Sequence, residues 1–447
     1  MSSLFSAHGL ALKKIRRLPR SIAFSTVLGA LALMHAVHAA DVPLTLARAQ
    51  RLAIERSRQL AAQDYAATAS RELAVAAAQL PDPVLKVGID NLPVNGQDRF
   101  SATNDFMTMR RIGVTQEITR ADKRQLRAAR FQREADKAVV EKTATVAAIE
   151  RDAALAWFER YYAEAMAAVI AEQGAQARLE IQAAEGAYRA GRGNQADVFA
   201  ARSALAGFDD RASDIERRIR NGKTMLARWI GAAADLPLAA KPATDAIRLE
   251  PASLDSQLLH HPDIAVLVKR EEIAETEAQL ARANKKSDWS MELAFQQRGP
   301  AFSNMVSLGV SIPLQWDQKN RQDRELSSKL ALVEQAKAER DEMLRSHVAE
   351  TRAMIDEWQS DRERHARYER ELLPLANDRT QAVIAAYRGA KASLADVLAA
   401  RRNEIDVRIQ ALQLATDTDR LWAKINFLFP TDEADAHAAM LKHKDTK

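Results

Sequence analysis

The chain has 447 residues, 65 Lys and Arg against 60 Asp and Glu, and no cysteine. The lack of cysteine excludes disulfides, thiolate metal sites, a cysteine nucleophile and a lipid-modified N-terminal cysteine. Hydrophobic residues make up 47% of the chain, but aromatic residues only 5%, and there are only 15 glycines. This composition favours long helices rich in Ala and Leu over a conventional enzyme core.

The first 39 residues have the pattern of a secretory signal peptide. Five Lys and Arg residues precede an apolar run from Ile22 to Val37, and small residues follow up to Ala39. The run is shorter than the roughly 18 residues that a membrane-spanning helix needs. We therefore expect cleavage before Ala40, with an uncleaved anchor as the alternative. Cleavage would leave 60 basic and 60 acidic residues, which removes the basic surplus as an argument for nucleic-acid binding.

The rest of the sequence contains one unit twice. The segment 188–202 recurs at 387–401 with a constant offset of 199 residues. The repeat matches Tyr188 with Tyr387 and Asp197 with Asp396. Two repeats are too few for a solenoid and indicate an internal duplication.

The duplication predicts the organisation of the chain. We expect a first repeat, a proline-rich linker, a second repeat and a polar C-terminal tail, with bounds 40–236, 237–252, 253–429 and 430–447. Each repeat should contain short helices, two strands, a very long helix, a turn with Tyr and Asp, and a return helix.

Four segments alternate between apolar and polar residues and predict strands: 85–89, 112–118, 291–296 and 306–314. One apolar and one polar face suit either a half-buried sheet or a barrel wall with lipid outside and water inside. Trp289, Phe302 and Trp316 lie near the strand ends, which favours the membrane interface.

The helical segments are very long. Arg120–Tyr188 and Lys319–Tyr387 are predicted to be nearly continuous helices of about 100 Å each, with a kink at Pro374. The second carries an apolar seam at coiled-coil intervals, formed by Leu326, Leu330, Val333, Leu344, Val348, Ile355 and Trp358. Such hairpins leave helix faces uncovered, and four strands cannot close a barrel, so we expect the chain to assemble with copies of itself.

Together these features resemble the TolC-type outer-membrane efflux proteins over residues 41–430. The resemblance rests on the duplicated Tyr…Asp-Val-(Leu/Phe)-x-Ala turn, the strand–Gly–strand pattern before each long helix, and the signal peptide. Segments 80–85, 91–94 and 106–112 are similar to the subgroup paired with heavy-metal pumps, either cobalt–zinc–cadmium or copper–silver. The implied fold is mainly α with a small β part: helical hairpins form an α-barrel tunnel, and four strands per chain contribute to a trimeric, twelve-stranded membrane β-barrel.

The resemblance also implies a function. The protein would be the outer-membrane channel of a tripartite efflux system in a Gram-negative cell, a passive exit duct for metal cations or other small solutes. Its implied partners are two further copies of itself, a periplasmic adaptor (membrane-fusion) protein, an inner-membrane pump of the RND type and outer-membrane lipid. Two alternatives stay open: a protein-secretion duct of the same fold, and a soluble periplasmic coiled-coil adaptor or structural protein.

The resemblance assigns roles to the two turns. The implied periplasmic gate residues are Tyr188, Asp197, Tyr387 and Asp396, and the implied adaptor-contacting tips are Gly191, Arg192, Gly193, Gly389, Ala390 and Lys391. Ala390 stands where a tip glycine is usual, and Ala392 where a gate arginine can occur, so Arg388 or Lys391 would have to substitute. From the residues alone, the two aspartates could instead N-cap the return helices, and the two tyrosines could simply pack.

Other candidate sites have weaker support from the sequence. The sequence contains no catalytic constellation or phosphate-binding loop, so we expect no enzyme activity, no cofactor and no bound metal. His260 and His261 are expected to form a solvated helix start rather than a metal site. Met107 and Met109 are expected to line one face of a strand rather than to bind Cu(I).

Overall fold

The computed structural model describes residues 42–191 and 193–431, which belong to one compact unit beginning at Val42. The predicted signal peptide, Arg192 and residues 432–447 of the predicted tail lie outside the described residues. None of the helices within the described ranges is long and apolar enough to cross a membrane.

The two halves of the chain follow the same order of elements. The first half consists of α1 Leu46–Arg56, α2 Arg58–Ala77, β1 Val84–Asp90, β2 Met109–Ile118, α3 Ala121–Arg189 and α4 Gln195–Ile230. The second half consists of α5 Leu254–Leu258, α6 Pro262–Asn284, β3 Trp289–Gln297, β4 Met305–Ser311, α7 Gln322–Arg367, α8 Leu373–Arg388 and α9 Leu394–Asn426. The predicted fold class, long helical hairpins with four strands per chain, is confirmed.

Helix α3 is continuous over 69 residues, or about 100 Å, because its sequence contains no proline and only two glycines. Its first turn has no side-chain cap of its own. Asp288, the residue before β3, replaces it by accepting hydrogen bonds from the Arg120 backbone N–H at 2.9 Å and from the buried Lys123 Nζ at 2.8 Å. This carboxylate joins the two repeats where the sheet meets the helices.

The second long helix is interrupted near Pro374. Helix α7 ends at Arg367, a π-helical turn spans Tyr368–Leu372, and α8 begins at Leu373 with Pro374 in its first turn. Proline has no N–H to donate to the preceding turn, and the wider π-helical turn accommodates that missing hydrogen bond. The predicted disturbance is therefore present and takes the form of a π-helical turn.

The core is distributed along the helices. Its largest cluster joins α1, α3 and α4 around the fully buried Trp157 and Phe158, and a second joins α5, α7 and α9 around Ile355 and Trp358. We call these two clusters together the girdle. Two smaller clusters continue along α3, α4 and α9 towards the turns at the far end of the helices.

The predicted apolar seam of α7 is only partly covered. Four of its residues are buried: Val333, Val348, Ile355 and Trp358. Leu330, however, keeps 43% of its surface exposed. The seam is covered where α5 and α9 contact α7 in the girdle and at Val333, whereas Leu330 is left open nearer the strands.

The segment between the halves is held on the helices by a buried carboxylate. Asp419 of α9 accepts hydrogen bonds from Lys241 Nζ at 3.0 Å, from Thr244 Oγ1 at 2.6 Å and from the Tyr162 hydroxyl. Burial, reinforced by Asp419, raises the pKa of Tyr162, so the phenol stays protonated and donates. Leu44 and Leu238 add a parallel β-bridge.

The four strands form one antiparallel sheet in the order β1-β2-β3-β4, so β1 and β4 are its edges. Strand β4 ends at Ser311 and not at Leu314 as the alternation predicted. Pro313 explains the early end, because proline cannot donate to the ladder of hydrogen bonds. Met107 also lies before β2 rather than on a strand face, whereas Met109 is the first residue of β2.

Candidate functional site

The two helix turns that the repeat predicted have the same backbone geometry. Gly191 and Ala390 both have positive φ, 66° and 57°. In each turn this residue donates its N–H to the carbonyl of the preceding tyrosine, Tyr188 or Tyr387, at 3.0 Å. Left-handed backbone is a low-strain choice for glycine and a strained one for alanine. Ala390, which stands where a tip glycine is usual, therefore occupies the position at which the turn requires left-handed backbone.

The aspartates of the repeat close capping boxes at the start of the return helices. Asn194 is the N-cap of α4 and Ser393 that of α9, and each side chain accepts from the backbone N–H of the aspartate three residues later, at 2.8 Å to Asp197 and 3.2 Å to Asp396. Each aspartate in turn accepts from the backbone N–H of its N-cap residue. The alternative prediction, that the two aspartates are themselves the N-caps, is therefore wrong in position. Asn194 and Ser393 are the N-caps, and the aspartates act from the third helical position.

Asp396 is held in its ionised form. The Ser393 hydroxyl donates to its Oδ2 at 2.7 Å, and the Ser393 backbone N–H donates to the same oxygen at 2.8 Å. These hydrogen bonds lower the pKa of Asp396 below its usual value. The carboxylate is exposed, so at neutral pH it presents a negative charge at the end of the hairpin.

The two repeat tyrosines differ in their surroundings. Tyr387 packs against a small apolar cluster that contains Val198, Leu394 and Val397 and joins α4 to α9. Tyr188 is about half exposed, at 49%. Neither hydroxyl makes a hydrogen bond within the described part of the chain. The packing interpretation thus suits Tyr387, and Tyr188 is free to contact another molecule.

Arginines of the repeat tie the helices together close to the turns. Arg401 pairs with Glu180 across the two repeats, with both side chains largely buried, whereas the equivalent Arg202 pairs with Glu185 of its own hairpin at 2.8 Å. Further along, Arg408 bridges to Glu172 and Arg211 to Asp406, each at 2.9 Å. We call these four ion pairs the tip ladder.

The tip ladder was not predicted as a functional feature. Its signal was nevertheless present, because Arg202 and Arg401 end the two copies of the repeat. Arg388 and Lys391, named as substitutes for a gate arginine, are exposed and form no ion pair with the described residues. Gly193 and Gly389 lie in the turns beside Gly191 and Ala390.

At the opposite end of the helices, the sheet has one apolar face that is open. The strand register aligns Leu85, Val114, Leu293 and Leu308 in one row across all four strands, and Val87, Ile112, Phe295 and Val306 in the next. All eight side chains are exposed, Leu308 by 70% and Val87 by 73%. A continuous apolar face of this kind in a folded chain indicates contact with lipid or with another protein surface.

The other face of the sheet is polar and carries linked charges. Lys86 Nζ lies 2.7 Å from Glu292 Oε2, and Arg111 bridges from Glu292 Oε1 at 3.6 Å to Asp90 Oδ2 at 3.4 Å. Three strands thus contribute to one ion network on the side away from the apolar rows. The alternation predicted from the sequence is therefore present in the structure, and its polar face suits contact with water.

Aromatic side chains lie at both ends of the apolar face. Trp289 and Trp316 are at the end next to the helices, with Trp316 87% exposed. Phe100, Phe106 and Phe302 lie in the loops at the far end. Aromatic residues that border an apolar band on both sides are typical of strands in a membrane.

A further cluster lies at the girdle and corrects the prediction for His261. Its ring is 5% exposed and packs against His347, with 4.6 Å between ring centroids, and against Phe429. His261 is the N-cap of α6, and its Nδ1 accepts from the Asp263 backbone N–H at 3.2 Å. Burial lowers the pKa of His261 to about 4, and neighbouring His347 adds to the effect. The predicted solvated helix start is wrong for His261, because α7 and the residues after α9 cover it.

Comparison with known proteins relates the chain to solved channels by fold. No protein-family model and no curated protein sequence matches it. The structure of the outer membrane protein VceC from Vibrio cholerae is similar, with a TM-score of 0.70 and 19% identity over 86% of this chain and 95% of that chain.

Two other structures are similar to the same degree. CusC, described in terms of folding and transmembrane channel formation, gives a TM-score of 0.73 and 16% identity, covering 86% of this chain and 92% of its own. The CmeC outer membrane channel of Campylobacter jejuni gives 0.71 and 12%, covering 88% of each chain. At these identities the comparison establishes the fold, and the predicted TolC-type fold is confirmed.

Proposed function

We propose that this protein is the outer-membrane channel of a tripartite efflux system, a passive exit duct across the periplasm and the outer membrane. The observation that carries this proposal is the open apolar face of the sheet, whose two exposed rows include Leu308 and Val87. In water such a face costs free energy, at roughly 25 cal/mol per Å² of exposed apolar surface. In lipid the same side chains contact hydrocarbon, so this free-energy cost is absent.

A lipid location requires that the sheet be completed by other chains. Strands β1 and β4 are edges with unpaired backbone groups, and in a bilayer every backbone N–H and C=O needs a partner. Four strands are too few to close on themselves. Pairing β1 of one copy with β4 of the next gives a twelve-stranded barrel in a homotrimer, within the range of known outer-membrane barrels. The ion network of Lys86, Arg111 and Glu292 would then line the aqueous interior.

The helices supply the duct below the membrane. Helix α3 is long enough, at about 100 Å, to extend far from the sheet, and both α3 and α4 keep apolar side chains uncovered. Leu179 and Phe199 are each 57% exposed near the turns, and neighbouring copies in a trimer would cover such residues. The turns with Gly191 and Ala390 lie at the end farthest from the sheet, where a periplasmic adaptor and, through it, an inner-membrane RND-type pump would dock.

At the turns, Asp197 and Asp396 supply charge for a periplasmic gate. Asp396 is ionised and exposed, so three copies around an axis would attract cations and repel each other. Tyr188 and Tyr387, three and two residues before the first tip residue of their turns, complete the proposed gate. Gly193, Gly389 and Lys391, together with Arg192, complete the proposed adaptor contact.

The transported material is proposed as small solutes, metal cations included. Support for metal comes from the resemblance of the segments 80–85, 91–94 and 106–112 to the heavy-metal subgroup. The second candidate, a protein-secretion duct, differs in its partner pump. A soluble periplasmic adaptor is disfavoured, because it would expose the apolar rows of the sheet to water.

The proposal is tested by cell fractionation and by the phenotype of a deletion strain. We expect the protein in the outer-membrane fraction as a trimer that survives mild detergent, and a deletion strain with raised sensitivity to one or more of copper, silver, zinc, cobalt and cadmium. A monomer in the soluble periplasmic fraction would contradict the channel. An outer-membrane trimer whose deletion changes protein export instead would support the secretion duct.

A further inference from the structure

A cavity in the girdle brings two histidines and an aspartate together. His261 and Asp263 come from the start of α6, and His347 comes from α7. One ligand atom from each of the three lies within 4.8 Å of the other two. The cavity they line has a volume of about 420 Å³, which is ample for an ion and its water.

The histidine pair has spare binding capacity. Nδ1 of His261 accepts from the Asp263 backbone N–H, which places the ring proton on Nε2 in the neutral tautomer. That Nε2–H has no hydrogen-bond partner in the described part of the chain, nor do the ring nitrogens of His347. The two rings are in contact at an interplanar angle of 59°, and one cation could bind both the Nδ1 lone pair of His261 and a ring nitrogen of His347.

The distances suit a transition-metal ion after small side-chain rotations. His261 Nδ1 lies 3.9 Å from Asp263 Oδ2. Two ligand atoms on a tetrahedral Zn²⁺ ion with bonds of about 2.0–2.1 Å are about 3.4 Å apart. The lone pair on Nδ1 already points towards Asp263, so an ion there would replace one hydrogen bond to the backbone and would need no tautomer change at His261.

We propose that His261, His347 and Asp263 bind one divalent transition-metal ion of the Zn²⁺ type, with a fourth position left to water or to Glu350. Imidazole and carboxylate ligands together select such ions over Mg²⁺ and Ca²⁺, which prefer oxygen ligands alone. Glu350, Arg151 and Lys424 also line this cavity. The negative charges of Asp263 and Glu350 therefore balance the positive charges of Arg151 and Lys424, and the bound ion adds positive charge to the site. The site is independent of the proposed channel function.

The ion would act as a clamp between two helices. Helix α6 leads to strand β3, and α7 leads away from strand β4. An ion shared by the start of α6 and the middle of α7 would fix these two helices to each other in the girdle. Such a site would stabilise the second repeat specifically, because the three ligands all belong to it.

The test uses the full-length protein purified without a histidine tag, stripped with chelator and re-equilibrated with a small excess of ZnCl₂. We expect about one zinc per chain by mass spectrometry after gel filtration, and with CoCl₂ the intense visible absorption of a low-symmetry, four-coordinate site. His347→Ala and His261→Asn should bind zinc at least tenfold more weakly. The asparagine variant keeps an N-cap side chain for α6, so its trimer should stay folded.

His365→Ala is the matched control, because His365 also lies on α7 but outside the cavity. It should retain the full zinc content and the cobalt spectrum. Equal zinc retention by all four proteins, or no zinc retained by the unsubstituted protein, would overturn the proposal. If His347→Ala fails to form trimers, the comparison of His261→Asn with the control decides.

Discussion

Gly191 and Ala390 occupy the same left-handed backbone position in two turns that lie 199 residues apart in the sequence. One copy of the duplicated turn has the residue that this conformation favours, and the other does not. The hydrogen bond from each of these residues to the preceding tyrosine carbonyl has the same length in both turns. The second turn is therefore built on the same geometry as the first but under more backbone strain.

This asymmetry predicts opposite effects of exchanging the two residues. Ala390→Gly should stabilise its turn, and Gly191→Ala should destabilise the other, each by about 1 kcal/mol, because the left-handed conformation of alanine costs roughly that much. Limited trypsin digestion of the trimer, which reads local opening at Arg388, Lys391 and Arg189, measures the effect. Slower tryptic cleavage of the Gly191→Ala variant than of the unsubstituted protein would contradict the left-handed conformation at Gly191.

The charge at Asp396 can be separated from its role in the capping box. Asp396→Ala removes both, whereas Ser393→Ala removes the cap and leaves the carboxylate. Each should weaken the start of α9 by about 1 kcal/mol. Only Asp396→Ala should reduce cation selectivity or raise conductance in planar bilayers, because only this variant removes the three carboxylates that surround the pore axis in the proposed trimer.

The comparison has two informative outcomes. If Ser393→Ala changes selectivity as much as Asp396→Ala does, then loosening of the turn and not the charge controls the pore. If neither variant changes selectivity or conductance, the capping role alone stands.

The tip ladder makes a second pair of matched variants available. Arg401→Ala breaks the largely buried bridge to Glu180 between the two repeats, whereas Arg202→Ala breaks an exposed bridge within one hairpin. The first should cost about 1.5–3 kcal/mol, since it leaves a charged hydrogen-bonding partner unpaired, and the second under about 1 kcal/mol. Single-channel recording should therefore find more frequent or longer openings in Arg401→Ala. Equal behaviour of the two variants would count against a closing role for the inter-repeat bridge.

The order of the elements was predictable because both of its signals are local. Alternation in segments such as 291–296 and the long proline-free stretch after Arg120 need no knowledge of distant contacts. The turn geometry was predictable in the same way, since the repeat aligned Ala390 with Gly191. Pro374 likewise predicted the interruption between α7 and α8.

The prediction for His261 failed because it depended on long-range packing. The sequence places His261 beside a proline at a helix start, which is usually exposed, but α7 brings His347 and the residues after α9 bring Phe429 onto its ring. The partner of Arg401 was likewise hidden, because Glu180 lies 221 positions away in the chain. No local pattern reports which residues of two long helices end up side by side.

In the proposed channel, one face of the sheet contacts lipid and the other contacts water. The chain has no cysteine, so single cysteines can be placed on either face without other labelling sites. Ser307 and Leu308 are neighbours on β4 and point to opposite faces. Both are exposed in the isolated chain, and this makes them a matched pair.

The decisive measurement is the labelling of Ser307→Cys and Leu308→Cys by a membrane-impermeant maleimide in trimers reconstituted into lipid vesicles. Reaction requires the thiolate and therefore water. Lipid contact of the apolar face predicts rapid labelling of Ser307→Cys from the aqueous interior and protection of Leu308→Cys, with both labelled after denaturation. Equal labelling of the two variants in intact vesicles would contradict it.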